Sequence, residues 1–166
     1  RNSSVKRSVD FLLFGQALKN MGVPIHLLIV GRGYGEKFLR LSDSLGLGSD
    51  VTIAGEVSDP GSCYNVMDLL CLCSVSEGFP NVILEAVKHK VPVISTDVSD
   101  LKLFFLQDWQ VVRVGDVNGL AIAACKVFKM QETELKVLTD VQAKKFKLHC
   151  DSTKIHKKME KVFHGT

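Results

Sequence analysis

The sequence predicts an α/β fold, a Rossmann-like parallel sheet with helices on both faces, formed as one domain by residues 1–166. Three observations carry that expectation. Short apolar runs rich in β-branched residues alternate with longer stretches whose apolar residues recur at helical spacing. The short runs lack in–out alternation, which is the mark of strands buried on both faces. Finally, 46% hydrophobic against 23% charged residues over 166 positions is an ordinary soluble-protein balance, and the chain is long enough to bury one core.

Each element follows from its own signals. Phe11, Leu12, Phe14 and Leu18 predict a helix over 9–18, closed by Gly22. Ile25–Val30 predicts a strand running into Gly31-Arg32-Gly33, and Glu36–Leu47 a helix ended by Gly46 and Gly48. Val51–Ala54 is the second strand, stopped by Gly55. Asp59 suits the N-cap of a short helix over 60–66, with Pro60 at its first position. Leu69–Cys73 is a third strand, Pro80–Lys88 a helix, Val91–Ser95 a fourth strand and Val111–Val114 a fifth. From about Asn118 onward the chain reads as helical, with a break near Asp151-Ser152. Such sheets bind ligands at the carboxyl ends of their strands. The loops to inspect are therefore 31–35, 55–58, 74–80 and 96–100.

Several function classes are excluded or disfavoured. No apolar run approaches the roughly 20 residues of a membrane span, and no signal-peptide pattern is present. A net charge of +3 gives no argument for nucleic acid. The five cysteines (Cys63, Cys71, Cys73, Cys125 and Cys150) form no C-x-x-C pair or metal-type spacing, so they read as buried free thiols in a reducing, cytoplasmic compartment. Gly31-Arg-Gly33-Tyr-Gly35 departs from the dinucleotide fingerprint at its third glycine, which argues against a nicotinamide cofactor. His26 reads as a packed strand residue. The basic residues between Lys144 and Lys161, interleaved with apolar ones, fit a solvated helix packed on the domain; contact with the inner face of an anionic membrane is the other reading. The chain begins at Arg1 without a methionine and reads as a piece of something longer.

The most informative stretch runs from Ser74 through Glu77-Gly78-Phe79-Pro80-Asn81-Val82 to Glu85. A strand ends, a polar loop follows, and Pro80 opens a helix whose first amides offer an anion site. Glu85 falls one turn beyond Asn81 on the same face. Two carboxylates so placed can accept hydrogen bonds from sugar hydroxyls on either side of a bound phosphate. Equally, Glu77 can merely complement the helix dipole while Glu85 sits in solvent. Spacing leaves both open.

The run Glu77-Gly-Phe-Pro-Asn-Val-Ile-Leu-Glu85-Ala86, followed by Pro92-Val93-Ile94 and Thr96, strongly resembles the group 1 (family four) retaining glycosyltransferases of the GT-B fold, whose hallmark is two glutamates separated by seven residues. Arg1 and Lys6 fit the family's R-x4-K, Gly31-Arg-Gly33 its G-x-G turn, Val51-Thr-Ile-Ala-Gly55 its V-x-F-x-G strand, and Gly115-Asp116 its late G-D. The resemblance implies the C-terminal, donor-binding domain of an enzyme that moves a sugar from a nucleotide diphosphate sugar to a glycan or lipid-linked acceptor. The acceptor would be held by an N-terminal domain of the same chain. Arg1 and Lys6 would hold the diphosphate, Glu77 the donor sugar and Glu85 the ribose. Gly78, Phe79, Pro80, Asn81 and Val82 would meet the sugar and phosphates. Gly31 and Gly33 would form the turn, and the backbone near Glu56 and Val57 would line the base. No metal or other cofactor is implied, and the isolated piece is expected to be inactive.

Departures from the family are specific. His89-Lys90-Val91 stands where a glycine usually precedes the Pro-Val-Ile strand; Val98-Ser99-Asp100-Leu101-Lys102 replaces a Gly-Gly then Pro-Glu pattern; and Trp109 occupies a stretch where glycine is common. In the same fold a nucleotide-sugar epimerase is an alternative, and outside catalysis a nucleotide-binding module. The strand that should precede Arg1 is expected near the sheet centre, so that its absence leaves a gap.

Overall fold

The computed structural model of the protein describes residues 4–78, 80–99, 101–104 and 107–149. It is the parallel α/β arrangement expected from the sequence. The helices are α1 (Ser8–Asn20), α2 (Glu36–Ser44), α3 (Pro60–Tyr64), α4 (Asn81–Lys88), α5 (Leu101–Phe104), α6 (Val117–Phe128) and α7 (Glu132–His149). They alternate with strands β1 (Leu27–Val30), β2 (Val51–Gly55), β3 (Leu70–Leu72), β4 (Val93–Thr96) and β5 (Val111–Val112). All pairings are parallel. β1 lies beside β2 with Ile29 opposite Ile53, and β3, β4 and β5 form a second ladder with Leu72 opposite Ser95 and Ser95 opposite Val111. Among the described residues no ladder joins the two-stranded and three-stranded pieces.

Helix α1 packs on both pieces. Leu12 sits in one apolar cluster with Leu27, Ile29, Phe38 and Leu47. Phe14 and Leu18 belong to another with Cys73, Ile94 and α6 residues such as Leu120 and Ala124. Gly15 allows the close approach to β1: a Cβ there would lie 2.5 Å from the Leu27 side chain. On the other face, Ile83, Ala86 and Val87 of α4 join Val91, Val93, Leu101 and Tyr64. Both faces of the three-stranded piece are thereby covered, as its apolar strands require.

Boundaries differ from the sequence expectation where side-chain chemistry outside the helix decides them. Pro80 is not the first helical residue but the N-cap of α4, with ψ at 103°, and the helix begins at Asn81. The four-residue α5 carries too little local signal to nucleate alone; it exists because Leu101 is fully buried. His26 is not packed: it lies exposed just before β1, with Nε2 2.8 Å from the Thr52 hydroxyl. Among the cysteines, Cys73 is buried while Cys63, Cys71 and Cys125 are partly so. Burial raises the Cys71 thiol well above its ordinary pKa, so it stays protonated beside Cys73, 3.7 Å away. The expected break near Asp151, Cys150 and the basic residues beyond it lie outside the described residues.

Helices α1, α2 and α4 end in the same motif, in which the amide two residues past the cap reaches back five positions to a helix carbonyl. The bonds are Val23 to Leu18 at 3.1 Å, Leu47 to Ser42 at 3.0 Å and Val91 to Ala86 at 2.9 Å. This closure needs a left-handed residue just after the cap. Gly22 and Gly46 supply it at φ 76° and 71°, but in α4 the residue is Lys90 at φ 59°. A lysine pays there for a conformation glycine adopts freely. Its contact with Asp140 is 3.6 Å long between exposed side chains and is worth little. Lys90→Gly is therefore expected to stabilise the protein by about 0.5–1 kcal/mol and raise Tm by roughly 2–3 °C. A lower Tm on calorimetry would show that the ion pair outweighs the strain.

Candidate functional site

The site begins at the end of β3. Thr96, buried at the end of β4, donates its hydroxyl to the Ser74 carbonyl at 2.6 Å, stitching the chain after β3 to its neighbour strand. Ser74, fully buried, then donates to Glu77 Oε1 at 2.6 Å. From the far side comes the segment before α1. The Val75 amide donates to the Val5 carbonyl at 2.9 Å, and Lys6 Nζ reaches the same Glu77 Oε1 at 2.5 Å. Residues 71 apart in sequence thus form one ion pair, with the carboxylate side chain only 14% exposed.

Burial alone would push the Glu77 carboxyl up. The hydrogen bonds from Lys6 and Ser74, with the Lys6 charge, outweigh that effect and hold it below the usual carboxylate range. Glu77 is therefore an ionised acceptor at neutral pH. The loop after it is clasped by Ser99, whose hydroxyl lies 2.6 Å from both the Glu77 and Gly78 carbonyls. Ser99 takes φ 54° to do so. Ser99 thus combines a left-handed backbone with a hydroxyl that clasps the preceding loop.

Glu85 lies on α4 one turn in and is partnered differently. Tyr64, buried at the end of α3, donates its hydroxyl to Glu85 Oε2 at 2.7 Å. Burial and the adjacent carboxylate push the Tyr64 hydroxyl's pKa well up, so it remains a donor at any physiological pH. The His89 ring stacks on Tyr64 with centroids 5.4 Å apart, and His89 Nδ1 lies 3.2 Å from Asn65 Oδ1. At the start of α4 the amides of Asn81 and Val82 precede the first helical bonds, while Ile83 already donates to the Pro80 carbonyl at 3.0 Å.

The remaining expected residues lie after β1 and β2. Gly31 and Gly33 adopt φ 130° and 91°, which only glycine accepts readily, and the Gly31 amide donates to Gly55 at 2.7 Å. Arg32 in this turn pairs with Glu56 across 2.8 Å, both exposed, and Val57 is half-buried beside it. The N-terminal end of α1 shows that these turns share an edge with Glu77: Lys6 meets Glu77, while the Ser8 hydroxyl lies 3.4 Å from that of Tyr34 in the loop after β1. The structure therefore brings Lys6 and Glu77 into contact, and gives Glu85 and Glu56 partners of their own, Tyr64 and Arg32. Arg1 and Phe79 lie outside the described residues. Gly115 turns at φ 83° before α6, and Asp116 caps that helix by accepting from the Gly119 amide at 2.8 Å.

Tyr64, Ser74, Thr96 and Ser99 were not singled out as site residues by sequence. For Tyr64 the available signal was a tyrosine in a short helix, and for Ser99 a polar residue replacing glycine. Among the described residues no group of three or more His, Cys, Asp or Glu is placed to hold a metal. Nor is any helix among them long and apolar enough to cross a membrane.

Taken together, the parallel strands, the covering helices and the glycine turn define a domain of the Rossmann-like class, with the Lys6–Glu77 pair at the strands' carboxyl ends. The chain belongs to the family described as Glycosyl transferases group 1, which it matches over residues 5–130. Two Staphylococcus aureus proteins described as capsular polysaccharide biosynthesis glycosyltransferases are similar: CapM, 39% identical over 80 residues, and CapH, 29% identical over 85. Those matches cover 47% and 49% of this chain but only 21% and 24% of the relatives' own lengths. Solved glycosyltransferases of the GT-B type share the fold. A mutant of S. aureus TarM, in complex with fondaparinux, alpha-GlcNAc-glycerol and UDP, superposes with a TM-score of 0.83 at 16% identity, covering 98% of this chain and 34% of that one. Anabaena HepE in complex with UDP gives 0.78 at 19% identity, covering 100% and 47%.

Proposed function

We propose that this chain is the donor-binding half of a retaining glycosyltransferase. It takes a nucleotide diphosphate sugar at the carboxyl ends of its strands and, with an acceptor-binding domain of the same protein, transfers the sugar to a glycan or lipid-linked acceptor. The observation that carries this reading is the Lys6–Glu77 pair. Two residues assigned to one substrate by motifs far apart in sequence lie in contact, beside the start of α4.

The chemistry follows from the groups present. As the bond from the sugar's anomeric carbon to the diphosphate breaks, negative charge collects on the leaving nucleotide. The Lys6 ammonium, with Arg1, stabilises it where it develops. The amides of Asn81 and Val82 at the positive end of α4 act in the same sense, next to Gly78 and Phe79. Glu77, held ionised, accepts hydrogen bonds from the donor sugar's hydroxyls. Glu85 does the same for the ribose, with Oε2 held by Tyr64. The turn at Gly31 and Gly33 and the backbone at Glu56 and Val57 border the base. Transfer with both domains closed keeps water from the donor.

UDP is the first ligand to try, because it is present in the TarM and HepE structures; the capsular relatives support a polysaccharide product. Calorimetric titration of the intact protein with UDP, GDP, ADP and NAD tests the reading. Saturable binding of one nucleoside diphosphate with NAD silent is expected; binding of NAD, or of none of the four, would overturn it. Tyr64→Phe removes one hydroxyl and keeps the ring packing. It is expected to weaken that nucleotide about 3- to 10-fold by freeing the Glu85 carboxylate. Unchanged affinity would show that the Tyr64 hydroxyl does not position Glu85 for the nucleotide.

A further inference from the structure

The segment that carries Lys6 joins α1 through a single residue, Arg7, with φ 47° and ψ 50° in the left-handed region. On one side of it, Val5 and Lys6 are tied to the loop after β3, through the Val75 amide and Glu77. On the other side, α1 is anchored in the core by Leu12 and Phe14. The backbone of residue 7 therefore decides whether Lys6 faces Glu77 or swings away. An L-residue avoids this conformation, and glycine does not.

What holds it is visible. Turned left-handed, Arg7 folds its side chain over the first turn of α1 and meets Asp10 with two bonds, Nε to Oδ2 at 2.5 Å and Nη2 to Oδ1 at 3.1 Å. Asp10 is buried, and its amide donates to the Arg7 carbonyl at 2.9 Å. Gly115 lies alongside, its Cβ position 3.6 Å from Arg7 Nη2, an ordinary contact distance. A forked guanidinium–carboxylate pair fixes direction as well as distance. We propose that the Arg7–Asp10 clasp is a positioning device for Lys6. It holds residue 7 in the left-handed conformation that presents the ammonium to Glu77, and hence to the diphosphate. The link to the diphosphate rests on the donor-site reading above; the link to Glu77 does not.

Comparison of Arg7→Ala with Arg7→Gly in the intact protein tests this. Both remove the guanidinium and leave Asp10 equally without its partner, but only glycine takes the left-handed backbone without strain. Asp10→Asn breaks the clasp from the other side without leaving a buried charge. The first readout is the Glu77 carboxyl titration by carbon NMR, where Lys6 is the facing charge and Ser74 the facing hydroxyl. Arg7 itself faces Asp10 and, at the end of β3, Cys73. In Arg7→Ala and Asp10→Asn the Glu77 titration is expected to move up toward the ordinary carboxylate range, and UDP affinity to fall about fivefold. In Arg7→Gly both should stay near the wild-type values. Identical behaviour of Arg7→Ala and Arg7→Gly would overturn the proposal, as would an unmoved Glu77 titration in Asp10→Asn. If none of UDP, GDP and ADP binds any of the proteins, the donor-site reading fails and the NMR comparison still decides the clasp.

Discussion

Glu77→Gln is expected to reduce sugar transfer by the intact protein about 10²- to 10⁴-fold, with a smaller loss of Tm than alanine would cause. Glutamine keeps the size of the side chain and an oxygen for the buried Ser74 hydroxyl, so that donor is not stranded. What is lost is the negative charge, and with it the strong acceptor for the donor sugar and the partner of Lys6. Glu77→Ala should abolish transfer as well but cost more stability, because it leaves Ser74 unpaired at about 1 kcal/mol or more. Assays of transfer beside calorimetry distinguish the two effects. Activity of the glutamine variant within about tenfold of wild type would exclude Glu77 from the chemistry.

Lys6→Ala is expected to weaken nucleoside diphosphate binding about 10- to 100-fold, the usual range for losing a charge-assisted hydrogen bond. It carries a second, acid-side consequence. Glu77 has a folded-state pKa below its unfolded one, so its pairing contributes stability that is complete above the ordinary carboxylate range and disappears as pH falls through the depressed folded value. Without Lys6 that dependence should shrink, leaving Ser74 to hold the carboxylate alone. Melting curves of both proteins between about pH 3 and 7 should therefore converge toward acid. Parallel curves would mean that Lys6 and Glu77 are not paired in solution.

Much of the fold was legible because its causes are local. Alternating apolar runs gave the strand and helix order, and Asp59-Pro60 and Gly22 marked element ends that the structure confirms. The Glu77 and Lys6 positions were legible only through the order of motifs along the chain; nothing local joins residues 71 apart. Tyr64 was not legible as a site residue, since its role depends on α3 and α4 packing so that its hydroxyl meets Glu85. Ser99 and Lys90 looked like losses of glycine. What the sequence could not convey is that both residues still adopt the glycine-like backbone, Ser99 with a compensating hydroxyl and Lys90 with only a long, exposed contact. Short α5 and the Pro80 cap were set by burial and by ψ, neither of which a four- or eight-residue pattern encodes.

The turn at Gly31 and Gly33 follows β1, while Glu77 follows β3, and α1 packs against both strand groups. A nucleotide reaching from one to the other would act as a tie: by binding the folded chain, it would slow amide exchange in both together by an amount set by its concentration relative to Kd.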